Sequence, residues 1–245
     1  MNIIDLATKS MQTAIKAVVD TIKTTTDATK TGVDNINTQI ANKNVGKVMK
    51  SMTFTSSGTF YVPAGVTEVY ITGGGAGGGG GFKSSSDSGL MGGTGGATSF
   101  GNLLTLSGGS GGTGQANNLN LQTGRKGGPG GQDGEPSLVY ATNVNKAGNG
   151  GNSGPYFGGR GFVHNISMTA NFHGGYCSGG GGSNQGTNDY ATGGGGGDFV
   201  YKRLVTVNPL SVIPITIGIG GIGAGNPLPV AGNGGNGILT VEWWE

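Results

Sequence analysis

The sequence predicts a mainly β and irregular protein: an N-terminal coiled-coil-like helix, a framework of short strands, and a stack of polyglycine II helices with protruding loops. Three observations carry that prediction. A heptad pattern runs through residues 1–45. Short runs rich in Val, Ile, Thr, Phe and Tyr, bounded by turn residues, follow it and close the chain. Between them glycine recurs with period three. The 245 residues include 57 glycines, and all but Gly32, Gly46, Gly58 and Gly65 lie between 73 and 237. Only 33% of residues are hydrophobic and 11% charged, against roughly 45–50% and 25% in an ordinary globular domain. A large aliphatic core of the kind that supports most α/β enzymes is therefore not expected.

The helix is expected over 1–45. Lys9, Lys16, Lys23 and Lys30 are spaced by seven, as are Asp20, Asp27 and Asp34. With Ile15 at position a, the a column reads Thr8, Ile15, Ile22, Thr29 and Ile36, and the d column Ile4, Met11, Val18, Thr25 and Gly32. The lysines and aspartates then fall on the outer face as i,i+4 pairs, each worth a few tenths of a kcal/mol. After Gly32 the apolar stripe shifts to Val33, Ile36 and Ile40. Thr24-Thr25-Thr26 and Gly32 weaken the isolated helix, so it needs an apolar partner. Met11, Ile15, Val18, Ile22 and Ile36 are the expected oligomerisation contacts. β-branched residues at a and d favour three strands, and a homotrimer is the expected assembly. A helix packed on its own head domain is the competing reading.

Residues 46–51 are expected as a linker and 52–245 as the head. From 52 to 72, turns at Ser56-Ser57-Gly58 and Pro63-Ala64-Gly65 divide a meander of short strands. Further strands are expected at 98–106, 199–207, 212–217 and 238–244. Pro209 and Pro214 place their segments at a sheet edge or beside a turn.

The glycine runs keep phase. Gly92-Gly93-Thr94-Gly95-Gly96-Ala97, 108–114 and 127–132 read G-G-x repeatedly, and Gly148, Gly151 and Gly154 continue the spacing. Period three is that of an extended threefold helix rising about 3.1 Å per residue. Glycine on two of its three edges lets backbones approach and bond to each other. Ordering glycine costs on the order of 1–2 kcal/mol per residue, while a net hydrogen bond returns roughly 0.5–1.5 kcal/mol. One run alone would stay disordered; several, anchored by strands, form cooperatively. A flexible glycine tether is the alternative.

Insertions between the runs, at 82–91, 115–126, 135–146, 152–157, 162–173 and 183–191, carry aromatic and small polar residues. Loops of that chemistry on a rigid scaffold resemble a paratope. The candidate receptor-binding residues are Asn118, Leu119, Tyr140, Asn143, Tyr156, Phe157, His164, Phe172, His173 and Tyr190. Some aromatics are expected to cap the glycine stack instead.

Other chemistries find little support. The formal net charge of +2 gives no electrostatic case for nucleic acid or an anionic membrane. No run approaches the roughly 18 apolar residues of a membrane span, and the start lacks the pattern of a signal peptide. There is no phosphate loop. His164 and His173 have no Cys pair or acidic cluster at metal-ligand spacing. Cys177 excludes an internal disulfide and has no triad partner. No catalysis, cofactor or metal is expected.

Residues 54–66, 73–79, 95–101, 214–221 and 237–244 together resemble the glycine-rich domain of tailed-phage tail-fibre proteins. That resemblance covers roughly 52–244 and extends in style to T-even-type fibre-tip adhesins with stacked polyglycine helices and variable end loops. It implies a receptor-binding head for a bacterial surface molecule, either an outer-membrane protein or a polysaccharide. It also implies partnership with other tail-fibre or baseplate proteins, and a place on the distal tail fibre of a virion assembled in the host cytoplasm. The heptad helix departs from those adhesins, so either self-trimerisation or docking on another fibre would attach the head. A structural fibre or baseplate piece that binds no host molecule, and an ice-binding or surface-coat glycine protein, are the alternatives.

Overall fold

Alternation of apolar and polar residues builds the strands that anchor everything else in the head. The computed structural model describes residues 3–42, 46–83, 89–116, 126–139, 145–161, 173–184, 189–225 and 231–245. It divides into two units, Met1–Val48 and Met49–Glu245.

The first unit holds one helix, α1 (Ile3–Asn42). It runs unbroken through Thr24-Thr25-Thr26 and Gly32. The hydroxyls of Thr13, Thr21, Thr24, Thr25, Thr26, Thr29, Thr31 and Thr38 each donate to the carbonyl four residues back. These threonines thus satisfy their own polar groups inside the helix. Lys16 Nζ donates to Asp20 Oδ2 at 2.8 Å. Met11, Ile15, Val18, Ile22 and Ile36 are all exposed. No helix of the described residues is long and apolar enough to cross a membrane.

The second unit is β-rich. Its strands in order are β1 (Met49–Phe54), β2 (Gly58–Tyr61), β3 (Glu68–Gly74), β4 (Phe82–Lys83), β5 (Thr98–Phe100), β6 (Leu104–Leu106) and β7 (Gly114–Ala116). Then come β8 (Leu138–Val139), β9 (Asn145–Lys146), β10 (Ser183–Asn184), β11 (Asp189–Ala191), β12 (Phe199–Thr206), β13 (Val212–Thr216) and β14 (Ile238–Trp244). Two four-stranded antiparallel sheets, β1-β14-β3-β12 and β2-β13-β5-β6, face each other. Val69 and Ile71 of β3 and Leu239, Val241 and Trp243 of β14 point inward, against Phe60, Phe100, Ile213 and Ile215 of the other sheet. Phe60 stacks edge-on to Trp243, with ring centroids 5.3 Å apart.

Two expectations need correcting and a third is resolved. β1 begins at Met49, inside the stretch 46–51 read as linker, because Met49, Lys50 and Ser51 pair with Trp244, Trp243 and Glu242. The run 98–106 is a hairpin rather than one strand; Gly101 turns it at φ +53°. Pro214 lies in β13, an inner strand of its sheet. Its carbonyl accepts from Gly101 N at 2.8 Å, so it lies beside the turn that ends β5, the second of the two places expected for it.

Most of the glycine lies in extended segments outside the strands, joined by backbone hydrogen bonds. In 75–81, successive N–H groups address three neighbours in rotation. Gly75, Gly78 and Gly81 donate to Asp198, Gly195 and Thr192; Ala76 and Gly79 to Gly96 and Gly93; Gly77 and Gly80 to Gly235 and Gly232, all at 2.8–3.0 Å. The carbonyls accept from three other runs: Ala76 and Gly79 from Gly109 and Gly112, Gly78 and Gly81 from Gly180 and Ser183, Gly77 and Gly80 from Gly221 and Ala224. The surrounding runs bond to one another as well: Gly95 to Gly109, Gly195 to Ser110, Gly194 to Gly180, Gly235 to Ser178, Gly234 to Gly221, Gly96 to Ile219. The segment 75–81 is enclosed on every side.

The sandwich sets this arrangement. Segment 75–81 continues β3, 107–113 continues β6 and 217–224 continues β13, all leaving the sheets; 91–97, 191–198 and 231–237 return to β5, β12 and β14. Strand pairing therefore fixes which glycine runs lie side by side.

Candidate functional site

Of the ten residues expected to bind a receptor, Asn118, Leu119, Tyr140, Asn143, His164 and Phe172 lie outside the described residues. The structure separates the other four. Tyr190 is a correction: it sits in β11 opposite Gln115 and is buried, so it supports the scaffold instead of projecting from it. Tyr156 packs edge-on between Tyr176 and Phe199, at centroid distances of 5.7 and 6.4 Å. Burial foremost, and then the neighbouring Cys177 and Tyr176, push its phenol pKa up. His173 is exposed, and its Nδ1 accepts from Asn233 N at 3.0 Å. Phe157, at 78% exposure, is the one that projects into solvent.

Phe157 borders a groove of about 340 Å³ on the side of the lattice. Three neighbouring runs build it, and each contributes side chains three positions apart: Gln132 and Glu135, Asn149 and Asn152, Phe157 and Arg160, with Asp133 beside them. Each of these six residues is exposed or half-buried, so each pair lies on the outward edge of its run. Backbone bonds fix the alignment, Gln132 N to Asn152 O at 2.8 Å, Glu135 N to Asn149 O at 2.7 Å, and Gly150 N to Gly159 O at 2.8 Å. The runs are antiparallel, so Gln132, Asn152 and Phe157 form one row across them and Glu135, Asn149 and Arg160 a second.

The two asparagines hold the floor. Asn152 Oδ1 accepts from Gly158 N and Asn149 Oδ1 from Gly161 N, both at 2.8 Å. Asn149 Nδ2 donates to Glu135 Oε2 at 2.6 Å. Each side-chain oxygen thus stands where a neighbouring backbone carbonyl would otherwise be needed. The same device recurs at Asn233 and Asn236, whose Oδ1 atoms accept from Gly223 N and Gly220 N at 2.8 and 2.9 Å. The sequence carries its signature twice, as Asn-Gly-Gly-Asn at 149–152 and 233–236; reading asparagine only as a loop residue misses it.

At the end of the lattice away from the sandwich lies a second feature that sequence reasoning missed. Lys83 Nζ and Asp189 Oδ1 are 3.6 Å apart, with side chains 2% and 7% exposed. Asn184 Nδ2 donates to the Asp189 carbonyl at 2.9 Å. Nothing in the local sequence marks Lys83 as buried. The described residues bordering 84–88, 185–188 and 226–230 lie at this end, whereas Lys126, which borders 117–125, accepts from Ser110 N midway along the lattice.

Cys177 is buried with φ +62°. Burial pushes its thiol up to about 12, against smaller opposing hydrogen bonds at Ile238 and Gly74. A thiol raised this far stays protonated at neutral pH, which disfavours nucleophilic attack. Among the described residues no group of three or more His, Cys, Asp or Glu could hold a metal ion.

A family model described as a glycine-rich domain matches residues 162–242. The match spans the buried glycine runs 179–182 and 193–197, the strands β12 and β13, and most of β14. No curated protein matches the chain.

Proposed function

We propose that this chain is a tailed-phage fibre or fibre-tip adhesin, whose head is a stack of polyglycine II helices and whose helix α1 joins copies into a trimer. The observation that carries the reading is the rotation of hydrogen-bond partners along 75–81: a repeat of three residues is that of the extended threefold helix, and enclosure by like segments makes it a rigid platform. The segments 84–88, 185–188 and 226–230 are bordered by residues at the end remote from the sandwich, where a fibre tip would meet a bacterial surface. The glycine-rich match at 162–242 is consistent with the resemblance drawn from the sequence. The partner would be an outer-surface receptor of the host, protein or polysaccharide, with other fibre or baseplate proteins at the opposite end.

The exposed stripe of Met11, Ile15, Val18, Ile22 and Ile36 supports association through α1, since an amphipathic helix of this kind is stabilised by covering its apolar side. Two measurements test the proposal. Light scattering should give three copies for the full chain and one for Ile15→Asp/Ile22→Asp. Purified protein should bind whole bacterial cells, and Tyr140→Ala, Phe157→Ala and Phe172→Ala together should reduce binding at least tenfold with the melting profile unchanged. Undiminished binding by that folded variant would leave the chain a structural fibre component.

A further inference from the structure

We infer that the groove beside Phe157 is a saccharide subsite for an extended, uncharged glycan chain. The inference rests on the recognition reading above and names its ligand class.

The groove has the parts a sugar needs, and their spacing is fixed by backbone rather than by mobile loops. Phe157 offers a solvent-exposed aromatic face, the surface on which the C–H face of a pyranose packs. In the same row Gln132 offers an amide, which both donates and accepts. Asn152 uses Oδ1 on Gly158 N, and its Nδ2 has two N–H groups left for a hydroxyl. In the second row Glu135 holds Asn149 through Oε2, which leaves Oε1 as an acceptor, and Arg160 brings a fork of donors. Vicinal hydroxyls are matched by such alternating acceptors and donors.

The rows are three residues apart along each run, or about 9 Å at roughly 3.1 Å per residue. That is the length of two sugar units in an extended chain, so every second ring would meet a row and the ring between would bridge them. Other ligand classes fit worse. Asp133 and Glu135 against the single guanidinium of Arg160 disfavour an anion. A peptide strand would need an open sheet edge, whereas the backbone groups of these runs bond to each other. The groove also lacks a deep apolar pocket for a side-chain anchor.

The test uses the full-length protein on an array of lipid-free bacterial surface polysaccharides, with binding constants then measured by titration calorimetry. Wild type should bind at least one neutral polysaccharide. Phe157→Ala should weaken it tenfold or more, Glu135→Gln about threefold or more, and Phe157→Trp should restore binding. Tyr201→Ala, which removes an exposed aromatic of β12, should change nothing. Phe157 is exposed, so its truncation leaves the fold intact, and unchanged melting would verify that. Equal binding by wild type and Phe157→Ala overturns the site. No binding to any polysaccharide by a protein that still binds cells removes the saccharide and leaves recognition standing. Array binding that depends on Phe157, in a protein that ignores cells, keeps the groove and removes the adhesin reading.

Discussion

A methyl group at Gly80 would fall on the carbonyl of Gly181, inside van der Waals contact with backbone that cannot turn aside. At Gly93, on the outer layer, the nearest atom to such a methyl is Ile222 N at 3.1 Å, and a small shift would admit it. At Gly32 in α1 nothing lies within 4 Å. Three alanine substitutions should therefore differ in sign and size. Gly80→Ala should destabilise the head by about 3 kcal/mol or more, since overpacking typically costs 1–3 kcal/mol and here backbone must move. Gly93→Ala should cost less than Gly80→Ala. Gly32→Ala should raise helix stability by about 1 kcal/mol. Chemical denaturation, followed by circular dichroism for the helix and Trp fluorescence for the head, separates them.

Cys177 gives a pH dependence at the same scale. Its thiol pKa is raised from 9.0 to about 12 by burial. A raised folded-state pKa contributes stability that is fully present below the unfolded value and lost as pH rises through the folded one. The melting temperature should fall between about pH 9 and 12, and Cys177→Ala should lose part of that slope. A thiol reagent at pH 7 should leave the native protein unmodified.

Among elements, the asparagine pairs tie lattice edges together. Asn236→Ala would leave Gly220 N without the oxygen it now meets at 2.9 Å. The expected loss is about 1 kcal/mol. Asn236→Asp should lose less, because the carboxylate still accepts. The midpoint of denaturation distinguishes the two, and equal losses would show that the side-chain oxygen is not what matters. The strands were legible in the sequence because a sheet with one buried face writes its alternation into the chain: Leu239, Val241 and Trp243 in β14 point one way, and Thr240 and Glu242 the other. The run 98–106 was harder, since its turn depends on one glycine, Gly101, at positive φ. For Pro214 the sequence left a sheet edge and the side of a turn open, because it shows the missing donor but not that the partner strand stops beside it at Gly101.

For the whole molecule, the hydrogen-bond lattice predicts a gradient of protection. Amides of 75–81, bonded inward and surrounded by other runs, should exchange with solvent slowest among the glycine segments. Those of 91–97, with Gly93 and Thr94 exposed, should exchange faster, and an unstructured peptide faster still. Uniformly rapid exchange across 75–97 would be incompatible with the lattice. Since each run leans on neighbours far away in sequence, the head should also unfold as one cooperative unit.

The sequence by itself determined the helix, most of the strands and the period of the glycine runs. Each of these is a local repeat: about 3.6 residues per turn for the helix, two for the sheet, and three for the rotation of hydrogen-bond partners along 75–81. Only the tertiary structure decided that 75–81 lies at the centre, that Tyr190 is interior while Phe157 is outermost, and that Gln132, Asn152 and Phe157 share a row. Glycine has no side chain to distinguish an inside from an outside, so nothing in a run reveals its neighbours. Pairing among β3, β12 and β14, and among β5, β6 and β13, makes that choice, and it joins residues more than a hundred positions apart.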